Sequence, residues 1–496
     1  MSDVQHIPDQ HYDAIVIGSG AGGAAVAYRM VAAGMRVLQL EKGSYLPVDG
    51  STLDVERVVR RGEFLSREPW IDGHGGRVVP EEHFNVGGKT KWYGAALLRF
   101  SRAEFTADPE FNCHAWPIGY DELAPYYQEA ETLLGVRKFS VEPGLQRVLK
   151  TLERPGSAWR SEQIPMALAP EITRFPDEAR HFDGFASVRE LKGEAQHSLL
   201  DMLANNPRHT LVTASEVMAL RSSRGAPQRI DGVRLADGRE VTGARVVLAA
   251  GALHSPRILA RYLDSSGLRH TLAMADNVGR NLKLHLLTAM VAVGLRRQSD
   301  LLRKTCLLTH QKFAHSSVQP LGFDGELIAN LMPRLLPRPL ARMLAARAYG
   351  FFLQTEDGSD PRNRVLERHS AGALEPVLDY DRQRLAAAAR EHRQFTWALT
   401  RALLGAGLIA ATQRIGLAGT AHVCGTLICG KDPATSVVDA EGRVHGMEGL
   451  YVADGSVLPR SSRVNPSLSI YAWGLRVGAH LAAQRLQRNV AAEAVA

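Results

Sequence analysis

The sequence predicts an α/β fold in which a Rossmann-like dinucleotide-binding domain is interleaved with a second, α+β domain. Three observations predict it. Residues 12–43 read as strand, glycine turn, helix and strand. Two remote segments, 246–252 and 450–455, are short apolar runs ending at Gly251 and at Asp454-Gly455, so distant parts of the chain return to one ligand as the strands of a parallel sheet do. Between them, 351–380 has strand-turn-strand character, with Gly358, Pro361 and Gly372 as breakers, and carries no dinucleotide motif.

In YDAIVIGSGAGGAAVAYRMVAAGMRVLQLEKG the buried-strand run Ala14 to Ile17 leads into Gly18-x-Gly20-x-x-Gly23. Gly18 permits the tight turn, and Gly20, with Ala21 beside it, lets backbone approach a pyrophosphate. Gly23 lets the helix, running to Ala33, lie close on the strand with its positive end toward the phosphates. A second strand, Arg36 to Leu40, ends at Glu41, where a carboxylate accepts hydrogen bonds from an adenosine ribose and repels a 2′-phosphate. FAD or NAD fits this pattern; NADP does not. Taken alone, the glycines read equally as a turn without a ligand, but strand, helix, strand and acid in register weigh against that.

The 496 residues, 45% hydrophobic and 22% charged, have the composition of a globular chain with room for two or three cores. The net charge of +7 is spread along the chain rather than gathered in a Lys/Arg block, which argues against nucleic-acid binding. The longest uncharged apolar runs, 284–295 and 402–411, fall short of the ~20 residues a spanning helix needs, so no transmembrane segment is expected. The polar opening MSDVQHIPDQHYD predicts neither a secretory nor a twin-arginine leader. With Cys113, Cys306, Cys424 and Cys429 scattered along the chain, a cytoplasmic protein with free thiols is expected.

At NVGGKTKWYGAALLRF (85–100), VVLAAGALHSPRILA (246–260), NVGRNLKLH (277–285), HVCGT (422–426) and GLYVADGSVLPRSSRVNPSLSI (449–470), the chain resembles the glucose-methanol-choline (GMC) oxidoreductases, flavoproteins that keep FAD and oxidise alcohols. The resemblance implies a discontinuous FAD-binding domain of residues 1–140, 211–289 and 416–496. It implies a substrate-binding domain of 141–210 and 290–415, built on an antiparallel sheet over the flavin, to which 351–380 would belong. Val217 would contact adenine; Gly87, Gly88 and Thr90 would pass the pyrophosphate and isoalloxazine. Ala250, Gly251, Asp454, Gly455, Asn465 and Pro466 would complete the cofactor site. Some relatives carry a flavin-linking histidine in the loop that here reads KTKWYG, so noncovalent FAD is expected.

The same resemblance pairs His422, in its His-x-x-Gly-Thr context, with Asn465. Alcohol oxidation removes a hydroxyl proton while hydride leaves carbon for flavin N5, and neutral imidazole suits the first task. His422 is the expected base and Asn465 the residue that orients the substrate oxygen. Asn465 also precedes Pro466, the pattern of a helix cap followed by proline, so a capping role stands beside the catalytic one. A helix starting there would aim its positive end at the flavin. The expected enzyme is a dehydrogenase rather than an oxidase, acting on a primary or secondary hydroxyl of a sugar, polyol or secondary metabolite. Its electron acceptor, whether oxygen, a quinone or a redox protein, is left open. A hydroxynitrile lyase-type enzyme, with FAD as scaffold, is the alternative; a flavin-binding protein without catalysis is a third reading.

Other residues carry less. His422, Cys424 and Cys429 lack the four-ligand spacing of a zinc site and the Cys-x-x-Cys turn of a redox pair, so no metal is expected and the cysteines read as packing residues. His254, His285 and His445 read as structural. Arg460 and Arg463 read as a solvated loop rather than as ligands of an anion. In 333–350, prolines 333, 337 and 339 break any long helix, and the stretch reads as a flap or surface helix rather than a membrane contact. Asp121 to Val136 reads as an amphipathic structural helix.

Overall fold

The computed structural model describes residues 6–332, 336–370 and 372–493. Its first strand, Ala14–Ile17, is wholly buried and lies at the centre of a five-stranded parallel sheet. Val37–Leu40 pairs on one side and Val246–Leu248 on the other. His209–Val212 and Leu450–Val452 form the two edges. The strands are short continuous apolar runs because both faces of a parallel sheet are covered.

One cover is the helix Ala21–Ala32, which packs against the long helix Ser467–Glu493. Small residues set that approach. A Cβ at Gly474 would stand 2.7 Å from the Gly22 carbonyl oxygen, and one at Gly478 would stand 3.0 Å from that of Val26. The first helix of the chain and its last long one are therefore in backbone contact, which locks the N- and C-terminal motifs into one body.

A six-stranded antiparallel sheet forms the second layer, in the order Ile409–Arg414, Leu286–Val293, Ala348–Thr355, Phe313–Pro320, Cys306–His310 and Trp159–Gln163. Met290, Val318, Phe351 and Leu353 bury themselves in one core with Phe395, Leu399 and Leu403 of the helix Ala386–Gly405. Side chains alternate along a strand, so Leu287, Gln319 and Phe352 point the opposite way. Leu287 and Phe352 line the large cavity between this sheet and the parallel one.

The segment 351–380 departs from expectation. Ala348–Thr355 belongs to the six-stranded sheet, but Arg364–Ser370 and Ala373–Asp379 form a hairpin in a separate four-stranded sheet with Trp70–Asp72 and Arg77–Val78. The chain is diverted between them. Glu356 is held by Arg460 and His315, and a Cβ at Gly358 would lie 1.8 Å from the Phe111 carbonyl oxygen.

The helix expected from Asp121 runs from Tyr120 to Leu133 and ends at Gly135, whose φ of +63° a side chain would strain. In 333–350, residues 333–335 lie outside the described residues. Pro337 and Pro339 start the helix Arg338–Ala345, proline being tolerated in a first turn, and that helix leaves Leu340 and Met343 exposed. Among the described residues no helix is long and apolar enough to cross a membrane.

Candidate active site

A cavity of about 620 Å³ runs from the glycine turn to His422 and Asn465. Gly18, at φ +105°, turns directly against the end of the strand Val246–Leu248, where a Cβ would stand 2.3 Å from the Ala249 carbonyl oxygen. Gly23 packs on the turn itself, 2.2 Å from the Gly18 oxygen by the same measure, whereas a Cβ at Gly20 would meet nothing within 4 Å. Gly20 therefore opens onto the cavity. The first intrahelical bond nearby is Ala24 N–H to Gly20 C=O, which leaves the earlier N–H groups at the helix start, from Ala21 on, for an anion.

Glu41 lines the same space, but its oxygens already have protein donors. Oε2 accepts from Ser19 N (3.0 Å) and Ser19 Oγ (2.6 Å), and Oε1 accepts from Gly43 N (2.9 Å). Ser19 Oγ in turn accepts from Gly87 N at 3.1 Å, tying the second glycine loop to the first. Gly88, at φ +55°, lies so near Gly20 that a Cβ would come within 3.2 Å of its Cα. Thr90 donates to the Gly87 carbonyl at 2.6 Å. Gly88 and Thr90 line the cavity, as do Val217, Ala250, Gly251, Asp454, Gly455 and Pro466; Gly87 stands behind them. Asp454 is sealed in by Gly251 N (2.9 Å), Ser255 Oγ (2.5 Å) and Ser456 N (2.9 Å). Burial raises the carboxyl pKa of both Glu41 and Asp454 against the pull of these donors.

At the far end the Asn465 amide nitrogen lies 3.2 Å from His422 Nε2. His422 is held by its flanks. Thr420 Oγ1 donates to the Glu81 carbonyl at 2.9 Å, and the backbone of Gly425, Leu427 and Cys429 bonds alongside Gly455 to Val457. Asn465 does not cap a helix: the helix begins at Ser467 with the Pro466 carbonyl accepting from Ile470, and the carboxamide lies between His422 and Gln319, whose Nε2 donates to its Oδ1. With Oδ1 taken, the amide donates to the Nε2 lone pair, which places the ring proton on Nδ1. Burial, reinforced by His285, Lys304 and Lys89, holds the His422 pKa well below 6.5, so the ring is a neutral acceptor at pH 7.

The loop before Asn465 is where sequence reasoning erred. Arg460 is not solvated. It is buried and grips Glu356 through Nε (2.8 Å) and Nη2 (2.6 Å), while Ser462 Oγ and Arg463 N donate to Glu104 Oε1 at 2.5 and 2.9 Å. The partner of Arg460 lies 104 positions away, which no local pattern reveals. Gly22 was also missed: a Cβ there would stand 1.5 Å from the Ala453 carbonyl oxygen, the tightest of the glycine contacts. Gln319, which touches Asn465, carried no signal in sequence.

His254 and His445 are hydrogen-bonded within the fold, to Glu82 and Arg257 and to Ser436 and Gly430 respectively. His285 donates from Nε2 to the Ser462 carbonyl at 2.8 Å and meets the His422 ring edge-on, 5.0 Å between centroids. Cys424 and Cys429 are buried free thiols in the main core. The side-chain groups that come close enough to share a metal, among the described residues, are Cys113, His315 and Glu356 and, separately, Glu190, His197 and Asp201; neither includes His422.

A glycine cradle open to a helix start, at one end of a cavity with a neutral imidazole and a carboxamide at the other, fits a dinucleotide. Comparisons with known proteins agree. The N-terminal GMC oxidoreductase family model matches residues 12–287 and the C-terminal one residues 373–474. Paromamine 6'-oxidase of Streptomyces fradiae is 30% identical over 97% of this chain and 93% of its own length. The 2-methyl-1,2-propanediol dehydrogenase of Mycolicibacterium austroafricanum is 28% identical over 57% of this chain and 56% of its own. A formate oxidase variant of Aspergillus oryzae shares the fold, with a TM-score of 0.68 at 15% identity, over 97% of this chain and 100% of that one. The chain belongs to the GMC oxidoreductase family, FAD-binding flavoproteins that act on CH–OH groups.

Proposed function

We propose that the protein oxidises a primary or secondary hydroxyl of a sugar, polyol or secondary metabolite, with His422 as base and Asn465 orienting the oxygen. The observation that carries this is the 3.2 Å contact between the two side chains on the wall of the cavity that also holds the glycine cradle. FAD, when bound, supplies the acceptor for the hydride. His422 Nε2, already an acceptor, takes the hydroxyl proton. The Asn465 amide, displaced from Nε2 by the substrate, donates to the same oxygen and fixes the carbinol carbon. Phe352 and Leu287 exclude water from that end of the cavity.

In this reading Gly18, Gly20, Ala21, Gly23, Glu41, Gly88, Thr90, Val217, Ala250, Gly251, Asp454, Gly455 and Pro466 hold FAD without a covalent link, and Gly87 shapes the loop. Residues 141–210 and 290–415 supply most of the substrate side. The substrate class is supported by the relatives, whose names specify paromamine and a diol; these are oxidising enzymes by name and give the lyase alternative no support. We read the chain as a dehydrogenase and as a cytoplasmic protein, the latter a reading that its four free thiols support.

Anaerobic mixing with a panel of alcohols tests the reaction. Bleaching of the visible flavin band supports it, and product release without bleaching overturns it. Turnover with a quinone or dye and little peroxide in air supports the dehydrogenase; peroxide formed at the full turnover rate makes it an oxidase.

A further inference from the structure

Near His422 and Asn465 the cavity walls are largely apolar, with Leu287, Leu321, Phe323 and Phe352, yet a buried ion pair opens among them. Lys304 Nζ donates to Asp183 Oδ2 at 3.0 Å, and Gly322 N donates to the same oxygen at 3.0 Å. Both side chains are nearly inaccessible to solvent, and both line the cavity. The Lys304 charge reaches the reacting end, since it is one of the groups that depress the His422 pKa.

Two features show that the pair is built in place. A Cβ at position 94 would stand 2.2 Å from both Asp183 Oδ1 and Lys304 Nζ, so a larger residue there would have to push the two side chains from their present positions. Lys192, itself buried, donates to the carbonyls of Tyr93 (3.0 Å), Phe182 (2.9 Å) and Phe185 (2.5 Å), which staples the loop that carries Asp183 to the segment before Gly94.

A buried ion pair is a poor device for stability, because desolvation offsets its attraction, and buried polar groups need all their partners. Here the partners are incomplete. The ammonium has three N–H donors and one carboxylate oxygen to receive them, and Asp183 Oδ1 has no hydrogen-bond donor among the described residues. A group that accepts from Lys304 while donating to Asp183 Oδ1 gives each of them a partner it lacks. A hydroxyl does this; an ammonium, facing Lys304, does not.

We propose that Asp183 and Lys304 form a subsite for a second hydroxyl of the substrate, so that the enzyme selects diols and sugars over simple alcohols. This rests on the alcohol-oxidation reading of the same cavity and adds to it the residues that choose the substrate. Because removing one partner leaves a buried charge that can disrupt folding, the test uses the double variant Lys304→Met/Asp183→Leu, which removes both charges, in the FAD-loaded protein.

The first readout needs no turnover. Pinacol, a diol with no oxidisable carbinol hydrogen, and tert-butanol, its monohydroxy counterpart, are compared for binding by perturbation of the flavin spectrum. The wild type is expected to bind pinacol about tenfold or more tightly, and the double variant to bring the two within about threefold. The second readout is the ratio of kcat/KM for 1,2-propanediol to that for 1-propanol, which is expected to collapse in the double variant through the KM for the diol. A wild type that does not prefer pinacol, or a double variant that keeps the preference, overturns the subsite. Bleaching by simple alcohols without diol preference leaves the oxidation reading standing and sinks this one. Pair-dependent pinacol binding with no bleaching by any alcohol does the reverse.

Discussion

Arg460 and Glu356 meet in a two-pronged, fully buried ion pair, and five residues beyond Arg460 the same loop presents Asn465 to His422. Burial alone would raise the Glu356 carboxyl, but Arg460 and His315 override it and bring the pKa down to about 2. Between about 2 and the ordinary 4.5 the unfolded chain binds a proton that the folded chain refuses. The stabilisation is therefore complete above pH 4.5 and is lost as pH falls toward 2. Glu356→Gln, which strands the guanidinium, is expected to cost about 3 kcal/mol in urea unfolding at pH 7 and to flatten the acid dependence. An unchanged midpoint at pH 7 would show that the pair is not needed.

Replacing His422 with alanine is expected to slow anaerobic flavin reduction by roughly a hundredfold or more, with the yellow cofactor retained. Stopped-flow absorbance measures both at once. Undiminished reduction removes His422 from the chemistry.

Because burial depresses the His422 pKa, its accepting form persists on the acid side. The kcat/KM profile is expected to remain flat from pH 7 down past 6.5 before any acid limb attributable to this ring appears. A limb centred at or above 6.5 that disappears with His422 would contradict the buried, neutral imidazole.

Gln319→Leu removes the donor that occupies Asn465 Oδ1 and frees the carboxamide to turn. Flavin reduction is expected to fall roughly tenfold while FAD affinity is unchanged, since misaimed donors cost rate more than they cost binding of a remote group. A change in FAD retention instead would place Gln319 among the structural supports.

Two glycines of one turn should fail in different ways. A Cβ at Gly20 points into open cavity, so Gly20→Ala is expected to keep its melting temperature and lose FAD affinity. A Cβ at Gly22 runs into the Ala453 carbonyl, so Gly22→Ala is expected to lose both, with destabilisation of about 3 kcal/mol or more. Thermal melts with and without added FAD separate the two; equal melting temperatures would mean that the helix shifts to absorb the contact.

Most of the parallel layer was legible, because each of its constraints is local: Gly18 needs its φ, the strands need their apolar runs, and Glu41 closes the second of them. The nearness of His422 and Asn465 was readable only through the family's motif order, since nothing within either segment specifies the other. What could not be read depends on partners far away in sequence. Arg460 looks solvated until Glu356 is beside it, Asp183 and Lys304 come together across 121 positions, and the chain leaves the six-stranded sheet through Gly358, which passes close against the Phe111 carbonyl. Spacing arguments see neighbours along the chain; buried ion pairs and tertiary blocks have none there.

The parallel sheet takes its central strand from residues 14–17 and an edge from residues 450–452, and the helix that follows rests on the first helix of the chain. During synthesis the N-terminal unit must therefore wait on the ribosome with one flank bare until residues beyond about 467 emerge. Coenzyme capture is then a late event, and a nascent protein arrested before that point should be a colourless client of chaperones.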